Sequence, residues 1–233
     1  AGCARLLGIR LPVNFDSPYR SLSIGEFWKR WHITLTTFLR ECLYFPLGGS
    51  KKGAARTYVN ILIIFLVSGF WHGAGWTFLF WGLLHGLAQV AERLLGDRLK
   101  RVPGLLRWCL TFAFVNVAWV FFRAPDFSGA LHLLGAALTG VMDRPGSWLL
   151  HGVFAKETGA IQMLLPALKP WMDLVRAAAL YGVGMLVVLL PRNTAAAMEK
   201  FRPKGWQGAA LAVLTAWAVL SFTGITTFIY SNF

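Results

Sequence analysis

Tyr58–Ala91 reads YVNILIIFLVSGFWHGAGWTFLFWGLLHGLAQVA, 34 residues without Asp, Glu, Lys or Arg but with two histidines, His72 and His85. One membrane-spanning helix needs about 20 apolar residues. A continuous helix of this length would reach roughly 51 Å, against a hydrocarbon core of about 30 Å. The stretch must break. Gly73-Ala74-Gly75 is the place, because glycine is the least costly residue at a sharp turn. The expectation is two helices, about 56–72 and 76–95, with His72 at the break. A titratable side chain beside interrupted helix at membrane depth is a functional-site candidate.

The composition agrees with a membrane protein. Of 233 residues, 56% are hydrophobic and 14% charged, against about 25% charged in soluble domains. Eleven Trp and 18 Phe suit the membrane interfaces. The net charge of +13 does not indicate nucleic acid, because the basic residues sit between apolar runs, as the cytoplasmic bias of Lys and Arg requires. Cys3, Cys42 and Cys109 are odd in number and far apart, which suggests neither a disulfide framework nor a zinc site. No metal site is expected. The chain has no initiating Met, and Ala1–Leu11 looks like the end of a longer helix. The expectation is that residues 1–233 are the C-terminal part of a single membrane domain whose N-terminal spans are absent.

Upstream of the hairpin, Asn14–Tyr19 is turn-rich. Ser23 and Glu26 form a capping box that starts a helix running to about Glu41. Ile24, Phe27, Trp28, Trp31, Leu35, Phe38, Leu39 and Cys42 share one face at helical spacing. This predicts an amphipathic interfacial helix, with His32 at the border of the apolar stripe and able to look sideways into a cavity. Tyr44–Gly53 reads as a basic interfacial turn; it lacks the GxxxxGK[ST] spacing of a phosphate loop.

Downstream, five basic residues between Arg93 and Arg107 precede a short span, Trp108–Phe122, with Asn116 inside it. A long mixed connector, Ala124–Trp171, contains an amphipathic piece near Phe127–Val141 and lies along the membrane surface. Spans near Ala177–Leu190 and from about Trp206 follow, separated by the basic loop 192–204. The fold class is therefore all-α: a polytopic transmembrane bundle of about five spans plus amphipathic interfacial helices. The basic connectors at 51–56, 93–107 and 192–204 fall on one face and are assigned to the cytoplasm. His72 then lies toward the outer side.

His72 is suited to general-base work near neutrality. Equally, it is a histidine bonded to a backbone carbonyl freed by the break. Ser68, four residues earlier, makes an acyl-serine conceivable, but no acidic residue between Thr57 and Ala91 completes a triad. His85 sits with Gly82 and Gly86, a small-xxx-small pair that lets helices approach closely, and is expected to hydrogen-bond across helices. His32 taken alone is an interfacial histidine. His132 and His151 receive no role. Lys29/Arg30 and Lys51/Lys52 are either solvated or steer an anionic donor such as a coenzyme or carrier-protein phosphate.

In order, Ser17-Pro18-Tyr19, Glu26–Leu35, Tyr44–Gly49, Gly69–Ala74, Phe80–Gly86 and the terminal Phe228-Ile229-Tyr230 resemble the membrane-bound O-acyltransferase (MBOAT) family, in its bacterial alginate O-acetyltransferase-like branch. The match is dense over 12–90 and loose afterwards. The resemblance implies an O-acyltransferase of the bacterial inner membrane with many spans. It implies no bound cofactor, with acyl-CoA or another acyl thioester (acetyl-CoA or an acyl carrier) as donor substrate. The acceptor is a hydroxyl of an exported polysaccharide, reached directly or through a periplasmic acetyl-relay protein. Membrane lipid is a partner and nucleic acid is not. The histidine of the WHG motif, here His72, is implied to be catalytic, and His32, 40 positions upstream, matches a second polar site residue. A membrane transporter and a non-catalytic scaffold of a polysaccharide-secretion complex remain alternatives.

Overall fold

The computed structural model describes residues 4, 7–139, 172–189, 202 and 204–221. The basic loop 192–204 lies mostly outside these residues. Residues 140–171 of the long connector, His151, Cys3 and the tail at 228–230 lie wholly outside them.

All regular structure among the described residues is helical: α1 (Ile24–Arg30), α2 (Ile33–Leu39), α3 (Ala54–His72), α4 (Trp76–Leu95), α5 (Gly104–Arg123), α6 (Phe127–Thr139), α7 (Met172–Leu189) and α8 (Gly205–Ser221). The chain divides into two compact units. One holds residues 1–142 and 184–193; the other holds 143–183 and 194–233. The candidate site lies wholly in the first.

The predicted hairpin is there. Helices α3 and α4 break at Gly73–Gly75, and their contact depends on glycines. A Cβ on Gly82 would stand 2.2 Å from the Phe65 carbonyl oxygen, and one on Gly69 2.4 Å from that of Phe78. Gly86 faces Leu62 and Phe65. The small-residue reading of Gly82 and Gly86 therefore holds, with Gly69 added from the facing helix. At the break the reason for glycine differs from the expected one. Gly73 has φ 166 and Gly75 φ −85, so neither occupies the left-handed region. Gly73 is required by space: a Cβ there would meet the Phe78 ring at 2.6 Å.

Helix α5 packs on α4, α6 packs on α5, and α1 crosses α4. Their shared core is aromatic, with Phe27, Trp28, Phe65, Trp81 and Phe121 buried around Val115 and Ala118. Outward faces are apolar too: Leu105, Leu110, Leu131 and Leu138 are exposed, as suits helices solvated by lipid rather than water.

Of the five expected spans, α3 and α5 are long and apolar enough to cross a membrane. Helix α4 has the length, but its polar residues and Glu92/Arg93 dilute its hydropathy. The apolar stretches of α6, α7 and α8 are shorter. Asn116, inside α5, satisfies itself by donating to the Phe112 carbonyl at 2.7 Å.

The single helix expected from Ser23 to Glu41 is two helices. It ends at Arg30, His32 takes φ 44, ψ 53, and a second helix begins at Ile33. The upstream connector imposes the corner. Asp16 N–H donates to the Arg30 carbonyl at 2.8 Å, and Ile33 N–H donates to the Asn14 carbonyl at 2.9 Å. Asn14 Oδ1 accepts from Thr34 N–H at 3.1 Å and from its hydroxyl at 2.9 Å. These bonds satisfy backbone groups that a continuous helix would have paired internally. The corner re-aims the second half, so Leu35 and Leu39 stay buried while Phe38 and Cys42, expected on the apolar face, are exposed.

The capping box is half as expected. Ser23 Oγ accepts from Glu26 N–H at 3.0 Å, but Glu26 reaches back to Leu22 N–H instead of the cap residue's own. Glu92, from the end of α4, accepts from the N–H groups of Ile24 and Gly25. A carboxylate at a helix N-terminus completes orphan donors and complements the dipole.

Candidate functional site

His72 is the last residue of α3. Nineteen residues at 1.5 Å each put it about 28 Å from the start of that helix, at the far end of the span. Its ring lies among Trp71 at 4.7 Å, Trp81 at 5.3 Å and Phe122 at 5.2 Å between centroids. Gly73 N–H takes the Phe70 carbonyl freed by the break, at 3.2 Å. Neither ring nitrogen of His72 hydrogen-bonds to any described residue, so the reading of a histidine tied to a freed carbonyl does not hold.

His32 stands at the same corner of the molecule. Its ring lies 6.2 Å from Trp71 and 6.0 Å from Phe15. Trp71 thus stands against both imidazoles. His32 Nδ1 is buried without a hydrogen-bond partner. Its left-handed backbone costs an L-residue about 1 kcal/mol, although His is among the types enriched there. Such conformations persist where surrounding structure over-determines them and cluster at functional sites. Here the strap from Asn14 and Asp16 over-determines it.

His85 is a different histidine. It is 0% exposed, and its Nδ1 accepts a hydrogen bond from Trp28 Nε1 at 3.1 Å. Phe27 and Phe65 stack on it, with Trp81 and Phe114 edge-on. This is the expected bond across helices. Ser68 is 1% exposed and its hydroxyl is unpartnered, so it makes no hydrogen bond to His72. His132 is on α6 and exposed.

Other quoted motifs serve as scaffold. Ser17 takes φ 46 before a short turn over Pro18–Arg20. Tyr19 then clamps α5: its carbonyl accepts from Trp108 Nε1 at 2.9 Å and its hydroxyl from Trp119 Nε1 at 3.1 Å. Burial holds the Tyr19 phenol above its ordinary pKa, partly offset by the Trp119 bond. In the turn after α2, Gly48 and Gly49 have φ 99 and 55, where glycine is needed. Asn60 of α3 donates to the Gly49 carbonyl at 2.9 Å and pins that turn. Arg30 is engaged with Glu26 at 2.8 Å and the Asp16 carbonyl; Lys29, Lys51 and Lys52 are exposed.

Sequence reasoning missed the aromatic walls of the site. Trp81 and Phe122 belong to helices whose facing residues periodicity cannot pair. Along the chain Asn14 reads only as a turn residue, yet it fixes the corner that presents His32.

The helices and this corner define a membrane protein with an imidazole, unbonded at both nitrogens among the described residues, where a helix long and apolar enough to span the membrane breaks. The chain belongs to the membrane-bound O-acyltransferase family, which it matches over residues 3–125, a segment that holds both His32 and His72. It is 49% identical over 137 residues to a peptidoglycan O-acetyltransferase of Helicobacter pylori, covering 57% of this chain and 26% of that one. It is 43% identical over 163 residues to a probable alginate O-acetylase of Pseudomonas putida, covering 70% and 33%. A teichoic acid D-alanyltransferase of Streptococcus thermophilus is 34% identical over 94 residues, covering 37% and 23%. The chain thus spans a third or less of the length of these relatives.

Proposed function

We propose that this chain carries the histidine site of an acyltransferase of the bacterial inner membrane. The enzyme moves an acetyl group from a thioester to a hydroxyl of an exported polysaccharide, directly or through a periplasmic relay protein. The observation that carries this reading is His72: both nitrogens unbonded among the described residues, at the helix break, with a second imidazole across Trp71, in a chain of an acyltransferase family.

His72 takes the proton of the acceptor hydroxyl as its oxygen attacks the thioester carbonyl. The tetrahedral intermediate collapses with cleavage of the C–S bond, and His72 returns the proton to the departing thiolate. His32 orients the acceptor or donates to the developing oxyanion. The aromatic walls limit water that would otherwise hydrolyse the donor. Direct transfer fits better than an acyl-Ser68 intermediate, since Ser68 has no base bonded to it. The donor approaches from the basic, cytoplasmic face and the acceptor from the outside.

The test is the O-acetyl content of the exported polysaccharide in a null strain. The strain is complemented with the full-length gene, unchanged or carrying His72→Ala, at matched membrane levels. Loss of acetylation with the variant is expected. Retained acetylation overturns the assignment and leaves a scaffold or transporter role.

A further inference from the structure

Helix α2 is capped from outside itself. The residue before a helix commonly turns its own side chain back to accept from the second or third N–H inside it. Ser23 does this for α1, accepting from Glu26 N–H at 3.0 Å. His32 holds that place for α2 and makes no such bond. It has the means: a neutral imidazole accepts at its unprotonated nitrogen, and Nδ1 is as many bonds from the backbone as the Oδ1 of Asn, a favoured cap. The donor is already taken. Thr34 N–H, second in the helix, donates to Asn14 Oδ1 at 3.1 Å, from 20 residues along the chain. The same oxygen accepts from the Thr34 hydroxyl at 2.9 Å, and the Asn14 carbonyl accepts from Ile33 N–H at 2.9 Å.

The consequence falls on the imidazole. With Thr34 N–H occupied, His32 Nδ1 has no hydrogen-bond partner among the described residues. The ring stands between Phe15 at 6.0 Å and Trp71 at 6.2 Å. Trp71 is the indole that also meets His72, at 4.7 Å. Phe15 follows Asn14 in the strap, and its ring packs on Trp31 at 4.9 Å. One strap therefore occupies the cap of α2 and flanks the His32 ring.

We propose that Asn14 is a positioning residue of the transfer reaction: by capping α2 in place of His32, it keeps the His32 imidazole beside Trp71 and off its own helix. The inference rests on the acyltransferase reading above and on the part that reading gives His32. Without the Asn14 amide, Thr34 N–H is an unpaired donor at a helix start, and such donors are satisfied by a side chain in reach. The nearest in sequence is His32, which caps by turning about χ1 and so leaves Trp71. Asn14 touches no reacting atom; its effect runs through His32.

The experiment uses membranes containing the full-length protein, with transfer measured per folded molecule. The donor is whichever of acetyl-CoA and acetylated carrier protein the wild type uses. The variants are Asn14→Ala, Asn14→Asp, His32→Ala, the double variant of Asn14→Ala with His32→Ala, and His72→Ala. Asn14→Ala should lower kcat about tenfold, the size of one hydrogen bond in the reaction, with KM for the donor unchanged. Asn14→Asp keeps an acceptor in the same place and should restore the rate. In the His32→Ala background, losing Asn14 should have no further effect. A merely structural role would not give that non-additivity. If Asn14→Ala does not accumulate, Asn14→Gln, whose amide lies one methylene too far, replaces it with the same loss expected. Wild-type kcat in the Asn14 variant, or an equal further loss in the His32→Ala background, overturns the positioning role. If His32→Ala transfers normally while His72→Ala is inactive, this inference falls alone. If His72→Ala transfers normally, or the wild type uses neither donor, the acyltransferase reading fails and this inference falls with it.

Discussion

His72 and His85 lie on one hairpin, thirteen residues apart, in the same uncharged run, and the fold treats them oppositely. His85 is enclosed by aromatic rings and accepts a bond from Trp28. His72 sits where the helix stops, with aromatic rings around it and neither nitrogen bonded to a described residue. A buried imidazole with a partner contributes to stability. One held in place by rings alone has nitrogens free to serve a substrate, as proposed for His72. The two differ in partnering: His85 Nδ1 accepts from Trp28 while its Nε2 is buried without a partner, and neither nitrogen of His72 hydrogen-bonds to a described residue.

The contrast breaks most sharply at His72. His72→Gln should lower acetyl transfer by about 10²–10⁴-fold, the usual contribution of a positioned general base, without lowering protein level. Transfer per folded molecule is the measurement, and activity near wild type would erase the distinction. His85→Ala should do the reverse. It removes a fully buried ring and strands Trp28 Nε1, which predicts a loss of about 2–4 kcal/mol in stability. Thermal unfolding in detergent would show it, while the transfer rate of the surviving folded protein stays near normal.

The hairpin that separates the two histidines can be tested next. Gly82→Ala puts a methyl 2.2 Å from the Phe65 carbonyl oxygen, so α3 and α4 must separate. Overpacking of this kind costs about 1–3 kcal/mol. A melting temperature equal to wild type would mean that the contact is looser than described. The smallest stability effect is expected at His32. His32→Gly relieves the left-handed backbone, so stability should change by no more than about 1 kcal/mol. Transfer should still fall about tenfold if the imidazole contributes one hydrogen bond to the reaction. Unchanged transfer would reduce His32 to a corner residue.

Much of the fold was legible. The hairpin bounds, the break at Gly73–Gly75, the close approach at Gly82 and Gly86 and the α6 segment all follow from charge-free length and residue size, which are local properties. The corner at His32 was not legible. Residues 23–41 keep an unbroken helical period, and the helix yields only because Asn14 and Asp16 compete for its backbone groups. The expected face failed at Phe38 and Cys42 for the same reason.

By itself, then, the sequence determined a helical membrane chain, a forced break beside His72, and two histidines 40 positions apart in recognisable motifs. It did so because hydrophobic length, glycine and motif spacing are read along the chain. The tertiary structure decided that Trp71 stands against both His32 and His72, that Trp28 occupies His85 Nδ1, that Glu92 caps α1, and that the Ser68 hydroxyl is buried unpaired. Each of these joins residues far apart in sequence or depends on which groups find partners. Partnering of that kind is settled only when helices pack.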